Sequence, residues 1–124
     1  MDQVCFALPV VDGQTQVARA FFSELEHQRK DEFDRSERRI GIGKESWYLQ
    51  QTPNGDLLIG YMESPDFARA LGLFAQSRDP FDLWFKQRLA EATGVNLNDP
   101  PAGPLSEQLS RYEVSEVLTQ GARP

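Results

Sequence analysis

Apolar residues fill the start of the chain, over Val4–Val10. The even-numbered residues of this stretch are large, whereas the odd-numbered ones include the small Cys5 and Ala7. Successive side chains of a strand point to opposite faces, so the pattern predicts a strand buried on both sides. Small residues would line one of those sides.

After a turn at Asp12-Gly13 the apolar spacing becomes helical, and Thr15 is expected to cap the helix. Its first half carries an apolar stripe, whereas Phe33 is the only large apolar residue of Glu26–Arg39. In that second half, acids precede bases by four residues, as in Glu26–Lys30, which favours a solvated helix. We predict one long helix that leaves the body of the fold, with Phe33 touching a partner subunit or a loop.

Two further stretches, Glu45–Gln51 and Asp56–Met62, read as the strands of a hairpin. The segment between them is Thr52-Pro53-Asn54-Gly55. Proline suits the first turn position, and glycine suits a left-handed position that follows the turn. These preferences predict a three-residue loop with a bulge.

The length of this loop decides which hairpin residues share a face. A three-residue loop places Trp47 and Leu49 on a wholly apolar face with Ile59 and Tyr61. The mixed face would then hold Tyr48, Gln50, Leu58, Gly60 and Met62. A two-residue loop would instead put Tyr48 with Leu57, Ile59 and Tyr61. We favour the longer loop because it separates an apolar face from a mixed one.

Two more helices are predicted from their start signals. Ser64-Pro65-Asp66 combines a cap, a proline and an acid, and Asp79-Pro80 repeats the pattern. Gly94 would stop the second of these helices. The proline-containing stretch 95–105 is expected to be an irregular connector.

The C-terminal residues leave two interpretations open. Tyr112 and Val114 fit a final strand, whereas Val114, Val117 and Leu118 fit a helix, and we prefer the strand. Residues 120–124 are expected to form a loose tail.

The order of elements predicts an α+β, ferredoxin-like βαββα fold with an extra helix and an antiparallel sheet. Whether a last strand completes the sheet is left open. Residues 1–104 would form this single domain, and 105–124 a C-terminal extension. Both sheet faces carry apolar residues, yet helices can cover only one of them. A second copy is the simplest cover for the other, so we expect a homodimeric α/β barrel.

Composition removes several classes of function. The chain has 124 residues with 13 Lys+Arg against 19 Asp+Glu, a net charge of −6 that disfavours nucleic-acid binding. It contains no apolar run long enough to span a bilayer and no basic leader, so we expect no membrane partner. Its lone thiol fits a reducing compartment, and we expect a cytoplasmic protein.

One cysteine, Cys5, and one histidine, His27, cannot supply a disulfide or a multi-histidine metal site. We therefore expect no metal and no cofactor. His27 is the obvious acid–base candidate, but its charged neighbours favour a surface position.

Three segments carry a resemblance to known proteins: Lys44–Asp56, Asp79–Lys86 and Thr93–Leu97. Together they resemble a family of small uncharacterised bacterial proteins, which is similar to the dimeric α/β-barrel superfamily. The resemblance spans about Val4–Pro104. The wider superfamily includes cofactor-free monooxygenases, lactone isomerases, haem-binding enzymes and stress-response proteins, so it implies a fold and no particular reaction.

The favoured hairpin register makes Tyr48 and Gln50 the main ligand-binding candidates, because it points them toward the space left by Gly60. Tyr48 would donate a hydrogen bond or relay a proton, and Gln50 would orient the ligand. Alternatively, both side chains are satisfied across a dimer interface.

Trp47 and Trp84 would be walls of the same ligand site, or else core or interface anchors. Arg38, Arg39 and Lys44 would meet an anionic ligand at the barrel mouth, unless they merely form a solvated helix end.

Two hypotheses about function follow. In the first, a homodimeric barrel binds a small, partly apolar organic molecule and oxidises or isomerises it without a cofactor. In the second, the protein has a structural or interaction role and catalyses nothing.

Overall fold

The computed structural model describes residues 1–100 and 105–114. Its elements are, in chain order, β1 (Asp2–Pro9), α1 (Thr15–Glu26), α2 (Lys30–Ile40), β2 (Lys44–Thr52), β3 (Gly55–Ser64), α3 (Phe67–Gln76) and α4 (Pro80–Thr93). The three strands form one antiparallel sheet in the order β1-β3-β2. A helical crossover joins β1 to β2, and β3 then inserts between them, which is the predicted ferredoxin-like α+β arrangement.

The β2–β3 hairpin turns through two residues, and the predicted three-residue loop is wrong. Thr52 pairs with Gly55 across the turn, so Pro53 and Asn54 form the loop. The Thr52 hydroxyl donates to the Gly55 carbonyl at 2.5 Å and accepts from the Asn54 amide at 3.2 Å. These bonds close the short turn, and Gly55 takes the positive φ of 120° as a paired residue.

In this register each β3 side chain lies on the face of the sheet opposite to the one expected, relative to β2. Trp47 lies opposite Gly60, and Tyr48 lies opposite Ile59. The side that packs against the helices contains Val4, Phe6, Leu8, Trp47, Leu49, Leu58 and Met62. The opposite side, which we call the outer sheet face, contains Cys5, Ala7, Tyr48, Gln50, Leu57, Ile59 and Tyr61.

The crossover consists of two helices, so the prediction of one long helix is wrong. The chain breaks at 27–29, where the Arg29 amide donates to the Glu24 carbonyl at 3.0 Å. The Arg29 side chain also pairs with the Glu24 carboxylate at 2.7 Å and lies 4.3 Å above the Trp84 ring. The break folds α2 back over the core, where the Phe33 ring lies 6.2 Å from that of Phe81. Phe33 is therefore an internal packing residue within this chain.

Local hydrogen bonds explain where the other helices begin and end. Asp79 accepts from the Phe81 amide at the start of α4, as predicted, and Gly94 ends this helix with a φ of 77°. Asp66, not Ser64, is the residue that caps α3. Thr15 is the first residue of α1 and not its cap, because its hydroxyl donates to Asp56 at 2.6 Å.

Residues 105–114 run beside β1 without joining the sheet. Ser106 accepts a hydrogen bond from the Cys5 amide, and Gln108 donates one to the Gln3 side chain, both at 3.2 Å. The predicted strand at Tyr112 and Val114 does not form within the described part of the chain. Val117, Leu118 and the predicted loose tail lie outside the described residues.

None of the described helices combines the length and apolarity that a membrane crossing requires.

Candidate active site

A cavity of about 360 Å³ lies between the helix-facing side of the sheet and helices α2, α3 and α4. We call it the inner cavity. Its wall is mostly apolar and aromatic, with Phe6, Phe33, Met62, Phe67 and Phe81 among the lining residues. Volume and composition are typical of a small-molecule site, which combines apolar walls with a few polar groups.

Two carboxyl side chains, Glu37 and Glu45, line this cavity and hydrogen-bond to each other. We call them the carboxyl pair. Glu37 is on α2 and Glu45 on β2, and the chain turns between these elements at Gly41, which has a φ of 94°. The Trp47 indole nitrogen donates to Glu45 Oε2 at 2.8 Å. Glu45 therefore accepts two hydrogen bonds, one from each neighbour.

Burial raises the pKa of Glu37 to about 10, and the charges of Glu45 and Asp82 and the hydrogen bond with Glu45 act in the same direction. Burial also raises the pKa of Glu45, but the hydrogen bonds from Glu37 and Trp47 oppose this effect. The hydrogen bond between the two side chains raises the pKa of Glu37 and lowers that of Glu45, so it favours the proton on Glu37 and the negative charge on Glu45. Such a pair offers an acid and a base side by side.

Neither glutamate was a candidate from sequence, although each left a signal. Glu45 precedes Trp47 and Leu49 at alternate positions of β2, so it belongs to a face that is otherwise apolar. Glu37 falls between Phe33 and Ile40 at helical spacing, on the buried face of α2. An acid at a position that should be apolar was the informative feature in both cases.

Gly60 allows Trp47 to reach its position. A Cβ atom at residue 60 would lie 2.9 Å from the Phe6 ring and 3.1 Å from the Trp47 ring. These two rings meet edge to face over the glycine, with centroids 5.6 Å apart. Gly60 thus makes room for a residue of the site, as expected from sequence, but that residue is Trp47 and not Tyr48.

A buried aspartate fixes the helix that carries Glu37. Asp82 on α4 is fully buried and accepts hydrogen bonds from Ser36 at 2.6 Å, Ser77 at 2.5 Å and Arg39 at 3.0 Å. Ser36 and Arg39 flank Glu37 on α2. The network therefore holds this part of α2 against α4.

Lys86, which is also buried on α4, donates to the carbonyl groups of Phe74, Ala75 and Ser77, so it ties α4 to the end of α3. Burial lowers the pKa of Lys86, and Asp82 opposes this shift. We assign Lys86 a structural role.

The structure does not bring the residues singled out from sequence together. Trp47 lines the inner cavity, but Tyr48 is 61 % exposed on the outer sheet face, which Gln50 shares. Trp84 packs beneath Arg29, outside the wall of the inner cavity. His27 is exposed at the end of α1, with Nδ1 2.7 Å from the Ser23 carbonyl oxygen. The expected pocket around Tyr48 and Gln50 near Gly60 is therefore wrong, because these residues lie on opposite sides of the sheet.

Among the described residues, no group of three or more His, Cys, Asp and Glu side chains is arranged to hold a metal ion.

Comparisons with known proteins support the fold. No protein-family model and no curated protein matches this chain. The crystal structure of L-rhamnose mutarotase FA22100 from Formosa agariphila is similar to it, with a TM-score of 0.58 and 16 % sequence identity. The similarity covers 91 % of this chain and 100 % of that chain. It agrees with the ferredoxin-like α+β architecture, while the resemblance to one particular bacterial family stays a prediction.

Proposed function

We propose that this protein is a cofactor-free isomerase that moves a proton within a small, partly apolar organic molecule bound in the inner cavity. The observation that carries the proposal is the carboxyl pair at the wall of that cavity, where Glu37 and Glu45 hydrogen-bond to each other and burial raises the pKa of both. Isomerisation by proton transfer needs both an acid and a base at the substrate, and the pair supplies both. Of the two reactions expected from the sequence, oxidation and isomerisation, the carboxyl pair favours isomerisation.

For a carbonyl substrate the steps balance without any further reactant. The Glu45 carboxylate takes a proton from the carbon next to the carbonyl, while the Glu37 carboxyl gives its proton to the carbonyl oxygen. The product of this step is an enol. Glu45 then returns its proton to carbon at a different position or on the other face, and Glu37 recovers its proton from the enol oxygen. The substrate leaves as an isomer, and the pair regains its original protonation.

The structurally similar protein is named an L-rhamnose mutarotase, and mutarotation is itself an isomerisation. A free sugar would need several polar partners, whereas the polar side chains lining the inner cavity are few. We therefore expect this chain to act on a molecule with an apolar body.

Deuterium exchange tests the proposal. We would incubate the ketone 2-tetralone with the protein in D2O and follow loss of its α-proton signals by NMR, with binding measured by titration. We expect exchange above the buffer rate, and Glu45→Gln and Glu37→Gln should each lower it about 10²–10⁴-fold. Glu91→Gln, an exposed change on α4, is the control. Binding of the ketone without exchange, or no binding at all, would contradict the proposal and favour a non-catalytic role.

We also propose that a second copy of the chain covers the outer sheet face, giving the predicted homodimer. Tyr48 is largely exposed there, and Ala7 is also exposed, while Leu57 and Ile59 are half-buried. An exposed apolar sheet face is typical of an interface, and a two-fold pairing brings the same face from both copies together.

Light scattering during gel filtration tests the homodimer. We expect a dimer for the wild-type protein at micromolar concentration and a monomer for Tyr48→Glu. Leu83→Glu, which places the same charge on an exposed apolar residue of α4, should remain dimeric. A monomeric wild-type protein would overturn the dimer.

A further inference from the structure

The inner cavity extends across the sheet, from the carboxyl pair to the edge of β1 that faces away from β3. Glu45 pairs with Met62, and Met62 pairs with Val4, so these residues form one row across the three strands. Neighbouring strands lie about 4.8 Å apart, so the row covers about 10 Å. Beyond β1 the cavity is lined by Leu105 and Ser106. The cavity is therefore elongated, with the carboxyl pair at one end and Ser106 at the other.

Few polar side chains are present among the described residues that line this cavity. Apart from the carboxyl pair and Trp47, they are Ser36 and Ser106. Ser36 is buried and donates its hydroxyl hydrogen to Asp82 at 2.6 Å, so it has no hydrogen left for a ligand. Ser106 instead accepts a hydrogen bond from the Cys5 amide at 3.2 Å, and no described residue accepts its hydroxyl hydrogen. That hydrogen is therefore available to a ligand.

Ser106 stands at the opening of the cavity, because it lines the cavity and is also exposed to solvent. The bond from the Cys5 amide holds the serine oxygen against β1. A hydroxyl donor in a fixed place selects a ligand that has an acceptor at the matching position. The described lining contains no lysine or arginine, and Glu107 follows Ser106 in the chain, so an anionic group would lack a partner there. The matching group is thus an uncharged acceptor, such as an ether or carbonyl oxygen.

We infer that Ser106 determines substrate specificity, and that the substrate is an elongated, uncharged carbonyl compound with a second oxygen about 10 Å from the reacting carbonyl. The carbonyl lies at the carboxyl pair, and the second oxygen accepts a hydrogen bond from the Ser106 hydroxyl. The apolar body between them packs against Phe6 and Met62. This inference rests on the proposed isomerase function and specifies its substrate class.

Two matched ketones test the inference. The first, 4-(4-methoxyphenyl)butan-2-one, carries an ether oxygen at the end far from its ketone, and 4-(4-ethylphenyl)butan-2-one has a methylene group in place of that oxygen. Titration calorimetry gives the Kd of both ketones for the wild-type protein and for Ser106→Ala. The ratio of the two Kd values is compared between the proteins, because a general loss of binding cancels in the ratio. Ser106→Ala should shift this ratio against the methoxy compound by about 2- to 10-fold.

Two further variants of the same segment serve as controls. Ser106→Thr keeps a hydroxyl group at this position and should keep the wild-type ratio. Ser110→Ala removes an exposed hydroxyl outside the described cavity lining and should also keep it. An unchanged ratio in Ser106→Ala would overturn the inference. An equal shift in Ser106→Thr or Ser110→Ala would overturn it as well, because the Ser106 hydroxyl would then not be the cause.

Deuterium exchange next to the carbonyl of the same two ketones separates this result from the proposed function. Exchange of both ketones with the same Kd ratio in the wild-type protein and Ser106→Ala would overturn only the role of Ser106 and the substrate class. A shifted ratio without exchange of either ketone would overturn the isomerase function and leave a binding site with Ser106 as its donor. Failure of both ketones to bind would overturn both.

Discussion

The indole nitrogen of Trp47 donates a hydrogen bond to Glu45 Oε2 at 2.8 Å, between two residues on the same side of β2. This bond stabilises the charged form of Glu45 and so lowers its pKa, against the effect of burial. The same indole ring packs against Phe6 and Phe22, with centroids 5.6 Å and 5.2 Å away. Aromatic packing in the core thus positions a hydrogen bond that favours the ionised form of the proposed base.

Replacing Trp47 with phenylalanine should shift the pH dependence of the proposed reaction. Without the indole donor the pKa of Glu45 rises, so the acidic limb of the exchange rate should move to higher pH. The pH–rate profile of deuterium exchange measures this shift. Trp84→Phe removes an indole outside the cavity wall and should leave the limb in place. An unchanged profile in Trp47→Phe would show that the hydrogen bond does not control Glu45.

The raised pKa of Glu37 should make the protein less stable as the pH increases. Between the ordinary value near 4.5 and about 10, the folded state holds a proton that the unfolded chain releases. The unfolded state then binds fewer protons, so the free energy of unfolding falls with rising pH across this window. Glu37→Gln cannot ionise and should remove this contribution.

Urea denaturation at pH 5, 7 and 9 checks this expectation. Glu37→Gln should gain stability relative to the wild-type protein as pH increases, with the smallest difference at pH 5. Glu24→Gln, which removes a half-buried acid outside the carboxyl pair, is the comparison variant. Parallel pH dependences for Glu37→Gln and the wild-type protein would mean that Glu37 ionises normally.

Gly60→Ala should destabilise the protein by about 1–3 kcal/mol. The added Cβ would approach the Phe6 ring to 2.9 Å, so the rings or the strands must shift. Gly72→Ala is the matched control, because a Cβ there meets no atom within 4 Å. Gly72 lies within α3, where alanine is favoured over glycine by about 0.5–1 kcal/mol. Thermal denaturation should therefore show opposite shifts for the two variants.

Ser36→Ala should cost about 1.5–3 kcal/mol of stability, because the buried Asp82 carboxylate loses a hydrogen bond of 2.6 Å. Ser23→Ala changes an exposed helical serine and should stay within about 0.5 kcal/mol of the wild-type value. Urea denaturation measures the change in the free energy of unfolding for both variants. The loss in Ser36→Ala should disappear in an Asp82→Ala background, which lacks the acceptor, if the two residues act through this bond.

The helices, the strands and the fold class could be predicted from the sequence, because the alternation of apolar residues in strands, the helix cap at Asp79 and the crossover pattern are local signals. The site could not, because its assembly depends on two details that local patterns leave open. One is the turn at Pro53-Asn54, where a difference of one residue reverses the β3 faces relative to β2. The other is the helix break near Arg29, where the guanidinium group lies over the ring of Trp84, a residue distant in the sequence.

The corner at Gly41 has a consequence for how the site comes into being. Glu37 and Glu45 stand on either side of this single bend, so their encounter closes only a short loop of chain and carries a small entropic cost. Contacts of such low sequence separation form readily during folding. Since Glu37 takes up a proton when it becomes buried above its ordinary pKa, folding consumes hydrogen ions from the solvent. A pH-indicator dye in weak buffer would thus record the assembly of the site as it happens.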